Sequence, residues 1–292
     1  MGRSASNVDS LLPSYRIALS DFLACAPLEE SSIILDGPGI GCGSHGVLLA
    51  LLGIERLTRL RAIHFFSSSG YAGFFFDASH KQQLKITRQD VAGWKQRNQH
   101  HHRIKLIATA FRFLGTKLIG KRWYFGNHFL ADFLRSGVTD EYADAPIKSL
   151  PASFHFWTYD TTDQEFCDIH AASPYSHWTP SEVISSLVAV PRLYEPFEKD
   201  GHIYSDALPA PGVRALFRDL RKQSHNVLFW HMNREGRRNN TLFVKGHQSK
   251  SGFTRVVGDF TRFLLGLDNP EFDRSIELSL FDLADEQEPL AT

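Results

Sequence analysis

The stretch that most constrains this chain is Ala62-Ile63-His64-Phe65-Phe66, an apolar run with β-branched and aromatic members that stops abruptly at Ser67-Ser68-Ser69-Gly70-Tyr71. A second apolar run, 72–76, follows at once. A short apolar run bounded by small residues reads as a buried strand, and the second run reads as a helix turning back over it. A sharp strand-to-helix turn of this kind lifts a serine hydroxyl above a sheet and sets backbone N–H groups beside it. The usual signature, G-x-S-x-G, is met only in part. With Ser68 as nucleophile, Gly70 stands at the later glycine position but Phe66 replaces the earlier one. With Ser69, Ser67 is small at the earlier position but Tyr71 replaces the later glycine. Ser68 is preferred, because a glycine two residues on lets the helix start pass close to the strand. The competing reading is that these serines form a helix N-cap and nothing more.

At 292 residues, with 42% hydrophobic residues and 23 Phe, the chain can bury a large core and is expected to form one large domain. The 32 basic and 32 acidic residues cancel, so the overall field gives no argument for a nucleic-acid partner. Cys25, Cys42 and Cys167 show neither metal-ligand spacing nor a disulfide framework, which fits a reducing compartment. The start of the chain lacks the pattern of a secretory signal. No apolar run reaches the roughly 18 residues that a membrane span needs. A cytoplasmic location is the expectation.

Upstream of the elbow, residues 11–28 carry an amphipathic stripe that predicts a helix, and Ser32-Ile33-Ile34-Leu35 predicts a short buried strand. That strand runs into Asp36-Gly37-Pro38-Gly39-Ile40-Gly41-Cys42-Gly43, which opens a helix at about Gly46. A glycine-rich strand-to-helix turn bares N–H groups at the positive end of a helix dipole and can hold an anion. The glycine spacing is wrong for a dinucleotide fingerprint, and no Gly-Lys-Ser/Thr follows as a phosphate loop requires. Two readings stay open: an oxyanion hole, or a tight turn that needs glycine for its φ angles alone.

A strand, an Asp-Gly-rich loop, a helix, a second strand and a serine elbow, closely spaced in that order, resemble the opening of patatin-like phospholipases. Later blocks continue the resemblance. The strands 154–160 and 165–169 come first, then the small-residue helix that begins at Val183 and leads to Pro191 and Pro196. Lys199-Asp200-Gly201-His202-Ile203-Tyr204 is similar to the family's hairpin, and Ser205-Asp206-Ala207-Leu208-Pro209 to its D-G-[GA] block. Asp200-Gly201 falls too soon after Pro196 and suits a hairpin turn, so the catalytic aspartate carries over to Asp206. The chain departs from the family at three places. No Arg or Lys lies between Asp36 and Gly46, the elbow lacks its first glycine, and Ala207-Leu208 follow Asp206.

The resemblance implies a three-layer α/β patatin-like fold with a mainly parallel central sheet and helices on both faces. It places a helical extension at 1–31, the acyl hydrolase domain at 32–284 and a loose tail at 285–292. It implies hydrolysis of an acyl ester of lipid or phospholipid type by a Ser68–Asp206 dyad, with Gly37, Gly39, Ile40 and Gly41 as the oxyanion hole and neither metal nor cofactor. Transfer or hydrolysis of a carrier-protein or CoA thioester, and an inactive binding module, are the alternatives. Between Trp94 and Ala131 the chain carries Lys95, Arg97, Arg103, Lys105, Arg112, Lys117, Lys121 and Arg122 without an acidic residue. The interval from Lys95 to Arg122 could meet an anionic membrane surface or an acidic carrier protein, or be the solvated face of a core helix. His100-His101-His102 do not form a ligand set, because adjacent histidines on a helix diverge. Further on, the pattern predicts strands at 227–230, 241–244 and 276–280, a turn at 234–240 and a helix at 253–265.

Overall fold

A computed structural model describes residues 7–37, 42–85, 126–191, 193–231 and 235–245. Strands β1 (Ser31–Leu35) and β2 (Ala62–Phe66) are buried along their whole length, which requires cover on both faces and lateral partners on both edges. They obtain the partners from a parallel set. β1 pairs with β2 and with β7 (Asn226–His231), β2 with β3 (Phe154–Asp160), and β7 with β9 (Thr241–Lys245). The antiparallel strands β4 (Glu165–Ile169), β5 (Phe197–Lys199), β6 (His202–Asp206) and β8 (Gly236–Arg238) complete a mixed sheet of order β5-β6-β3-β2-β1-β7-β9-β8, with β4 on β3. The α/β class expected from the sequence is met.

Alternation along the strands divides the apolar side chains between two clusters. Ile33, Leu35, Ile63, Phe65, Phe154 and Phe156 join the larger one. It also takes in residues of α1 (Asn7–Leu23), α2 (Cys42–Leu52), α4 (Ser69–His80) and α7 (Pro180–Leu187). Phe156 sits at its centre, stacked on Phe74 at 4.5 Å and on Phe65 at 4.9 Å. Ile34, Phe66, Trp157, Val227, Phe229 and Phe243 form the smaller cluster with Leu220 of α8 (Val213–Lys222). The helix read as an N-terminal extension is built into the larger core. Tyr15, Leu19 and Phe22 are fully buried, and Asn226 donates its amide N–H to the Phe22 carbonyl at 2.8 Å.

The start of α7 is set by a capping box. Thr179 accepts the Glu182 N–H while the Glu182 carboxylate accepts the Thr179 N–H, and Pro180 occupies the first turn. Hairpin β5–β6 turns at Asp200 and Gly201, both at positive φ (53° and 84°), as an Asp-Gly turn of this handedness demands. Asp200 is therefore a turn residue with an exposed side chain.

The sharing of β3 between its neighbours positions the candidate site. β4 lies against one edge of β3 from Phe156 to Asp160, so β2 and β6 must share the other edge. β2 occupies it up to the pair Phe66↔Trp157, and β6 takes over at Thr158↔Asp206. The carboxyl end of β6 is thereby delivered to the point where β2 stops.

The expected basic interval 95–122, the helix 253–265, the strand 276–280 and the tail 285–292 lie outside the described residues. Among the described residues, no helix is long and apolar enough to cross a membrane.

Candidate active site

Phe66 ends β2 and Ser69 begins α4, leaving two residues to reverse the chain. Ser67 carries the strain of that reversal at φ 53°, a left-handed conformation that costs a non-glycine residue about 1–3 kcal/mol and persists where the surroundings over-determine it. The three serines of the turn do different work. Ser69 Oγ accepts the Phe66 N–H at 2.7 Å and donates toward the carbonyls of Phe66 (2.8 Å) and Leu35 (3.0 Å), tying the elbow to both β1 and β2. The Ser68 hydroxyl is buried and, among the described residues, has no hydrogen-bond partner. Ser67 stands beside Asp206, close enough to favour its charged carboxylate.

Asp206 is 2% exposed, and its Oδ1 accepts the Leu208 N–H at 2.9 Å. Burial pushes its carboxyl up to about 7, against the opposing pull of the neighbouring Ser67 hydroxyl and the Leu208 N–H. Asp36, the first residue past β1, is also pushed up to about 7, first by burial and then by the negative charge of Asp206. Two buried carboxyl groups that repel each other resist ionising together near neutral pH, so one proton tends to stay with the pair. Beside them His45 is fully buried with its ring edge-on to Trp230 at 4.1 Å. Burial pushes its imidazole down to about 3, so it is neutral and carries no charge into the site.

Gly37 brings the glycine loop against the elbow. A Cβ at this position would stand 2.0 Å from the Phe66 carbonyl oxygen, 2.7 Å from Ser67 Cβ and 2.9 Å from Ser68 N. Only glycine permits that approach, so a backbone requirement accounts for the residue. Ser68 is the N-cap of the twelve-residue helix α4, and among the described residues its N–H has no hydrogen-bond partner. An N–H immediately after a hydroxyl of this geometry, at the positive end of a helix, is placed to receive a developing oxyanion. Gly39, Ile40 and Gly41 lie outside the described residues.

The sequence pairs Asp206 with Ser68; in the structure Ser67, the residue at positive φ, also stands beside Asp206, and the hydroxyl-bearing side chains of both Ser67 and Ser68 are buried. The register reading rested on Gly70, whose missing side chain answers a different need. A Cβ there would meet Leu187 Cδ2 at 2.5 Å and Ile184 Cδ1 at 3.2 Å, so Gly70 lets α4 pack on α7. Ser67 and Asp36 are the residues that sequence reasoning missed. Each is the first residue beyond the carboxyl end of one of two neighbouring parallel strands, the level at which sites form in sheets of this type. That position was the available signal. Compared with models of known families and with curated proteins, the chain matches none.

Proposed function

We propose that this chain is a serine acyl hydrolase of patatin-like, three-layer type, acting on an acyl ester through a Ser67–Asp206 dyad. The observation that carries the reading is the conjunction at the elbow: a serine at positive φ between strand and helix, beside a buried aspartate from β6. In the first step Asp206 takes the proton of Ser67 Oγ as that oxygen bonds to the acyl carbon, and the acyl oxygen becomes negative against the Ser68 N–H. Asp206 then returns the proton to the departing alkoxide as its C–O bond breaks. Water attacks the acyl-serine by the same proton relay, releasing the acid and restoring the serine. A carboxyl group poised near pH 7 suits a base that must both accept and return a proton. The acyl ester is of lipid or phospholipid class, in keeping with the basic interval between Lys95 and Arg122, and a cytoplasmic setting accords with the cysteine usage.

The test is covalent labelling of the intact chain with a fluorophosphonate, followed by peptide mapping. The expected adduct is on Ser67, and Ser67→Ala abolishes it while Ser68→Ala does not. An adduct on Ser68 would return the nucleophile to the register read from sequence. Absence of any adduct in a folded sample would leave the site as a binding module.

A further inference from the structure

We propose that His155, Asp168 and His170 form a binding site for a divalent transition ion of the zinc class, remote from the Ser67–Asp206 dyad. The register of the β3–β4 ladder generates it. Phe156 pairs with Ile169 and Trp157 with Asp168, so the next step of the same register sets His155 opposite His170. Their rings are 4.7 Å apart. Asp168, in β4, is two residues before His170, which directly follows the strand, and shares its face. Its two carboxylate oxygens lie 2.9 and 3.1 Å from His155 Nδ1.

One ligand atom from each of the three side chains lies within 4.8 Å of the other two. Zinc held at roughly 2.0–2.2 Å by nitrogen and oxygen donors in a tetrahedral shell spaces those donors roughly 3.3–3.5 Å apart. Rotations about side-chain torsions close that gap without moving the ladder. All three residues are partly buried, so the ligands are pre-positioned while an ion can still enter. Two imidazoles with one carboxylate suit zinc and its neighbours in the transition series, whereas calcium and magnesium prefer all-oxygen sets.

A third ring bounds the site. His64, opposite His155 on β2, lies 5.4 Å from it and is buried, and its Nδ1 accepts the Trp157 indole N–H at 3.1 Å. That bond fixes His64 as a wall beside the ligands. The set is therefore two nitrogens and one oxygen, with the remaining coordination left to water. A second group, Asp160, Asp163 and His202, meets the same distance criterion. Its bonds are those of a turn: Asp160 Oδ1 accepts the Thr162 and Asp163 N–H groups, and Oδ2 pairs with His202 at 2.7 Å. It serves as the control. The proposed site lies at the amino end of β3, three residues before Thr158, or roughly 10 Å along a strand from where Asp206 pairs. An ion there would clip the β3–β4 hairpin rather than touch the reacting serine.

The experiment is calorimetric titration of the full-length chain, freed of metal by chelator and desalted, with zinc chloride, alongside cobalt(II) absorption spectra. Binding of one equivalent is expected, weakened by at least roughly tenfold in His155→Ala, His170→Ala and Asp168→Asn, with loss of the cobalt ligand-field bands. His202→Ala and a variant with His100, His101 and His102 all changed to Ala should bind as the parent does. Circular dichroism identifies any histidine variant that fails to fold, in which case Asp168→Asn decides. The proposal is overturned if no zinc binds, or if binding survives these three changes and disappears with His202 or the 100–102 histidines.

Discussion

Replacing Asp206 by Asn should inactivate the protein and stabilise it at the same time. Its carboxyl sits at about 7 in the fold against 3.8 when unperturbed, chiefly because burial penalises the charged form. At ~1.36 kcal/mol for each tenfold step, that displacement is worth roughly 4 kcal/mol. Between about pH 4 and pH 7 the native chain keeps a proton that the unfolded chain has released, so native stability falls as pH rises through this interval. Asn carries no charge to bury, and its side-chain oxygen can still accept the Leu208 N–H that Asp206 Oδ1 accepts. Asp206→Asn should therefore match the parent in thermal midpoint below pH 4 and exceed it at pH 8, by on the order of 10 °C for a chain of this size. In the same samples kcat/KM on a soluble ester should drop by about 10²–10⁴-fold, the contribution of a positioned general base. Scanning calorimetry of both proteins from pH 4 to pH 8 decides the matter. Equal midpoints across the range, or a variant less stable at pH 8, would refute the claim that the fold holds this carboxylate at a cost.

Two further outcomes follow from the same corner of the molecule. Asp36→Asn removes a neighbouring negative charge, so the acidic limb of the pH–rate profile, expected near 7, should move to lower pH; an unmoved limb would show that the two carboxyls titrate independently. Gly37→Ala places a Cβ 2.0 Å from a backbone oxygen that cannot swing aside, so it should cost about 1–3 kcal/mol in denaturant melts and slow fluorophosphonate labelling, and wild-type behaviour in both would contradict the packing of loop on elbow.

The parts of this architecture that were legible beforehand are those written in side-chain alternation and turn chemistry. Strands 154–160 and 165–169 coincide to the residue with their expected bounds, because bulky apolar and aromatic side chains run between turn-forming ends. The hairpin turn at Asp200-Gly201 was read from a dipeptide with a steric reason behind it. At the candidate site, side-chain pattern is silent. Nothing in the composition of Ser67-Ser68-Ser69 says which residue adopts positive φ, since that depends on where β2 stops pairing with β3. α2 begins at Cys42, ahead of the expected Gly46, because its first turn is made of small and polar residues without periodicity. Strand β8, Gly236–Arg238, lay inside a stretch read as a turn; its residues are exposed and two are arginines, so only its backbone pairing with β9 defines it. The sequence places Asp36 in a loop, and its proximity to Asp206 follows from strand order rather than from any local motif.

The shared edge of β3 also imposes an order of events on a chain emerging from the ribosome. The elbow can assemble from β1, β2 and α4, which are neighbours in sequence and leave the tunnel early. Its aspartate arrives only after hairpin β5–β6 has been made and has zipped onto the stretch of β3 that β2 leaves uncovered. A nascent or partly unfolded chain thus holds Ser67 without Asp206 beside it. For the proposed dyad, this order makes acyl hydrolysis the last capacity that the fold would acquire, so half-made copies would leave acyl esters untouched.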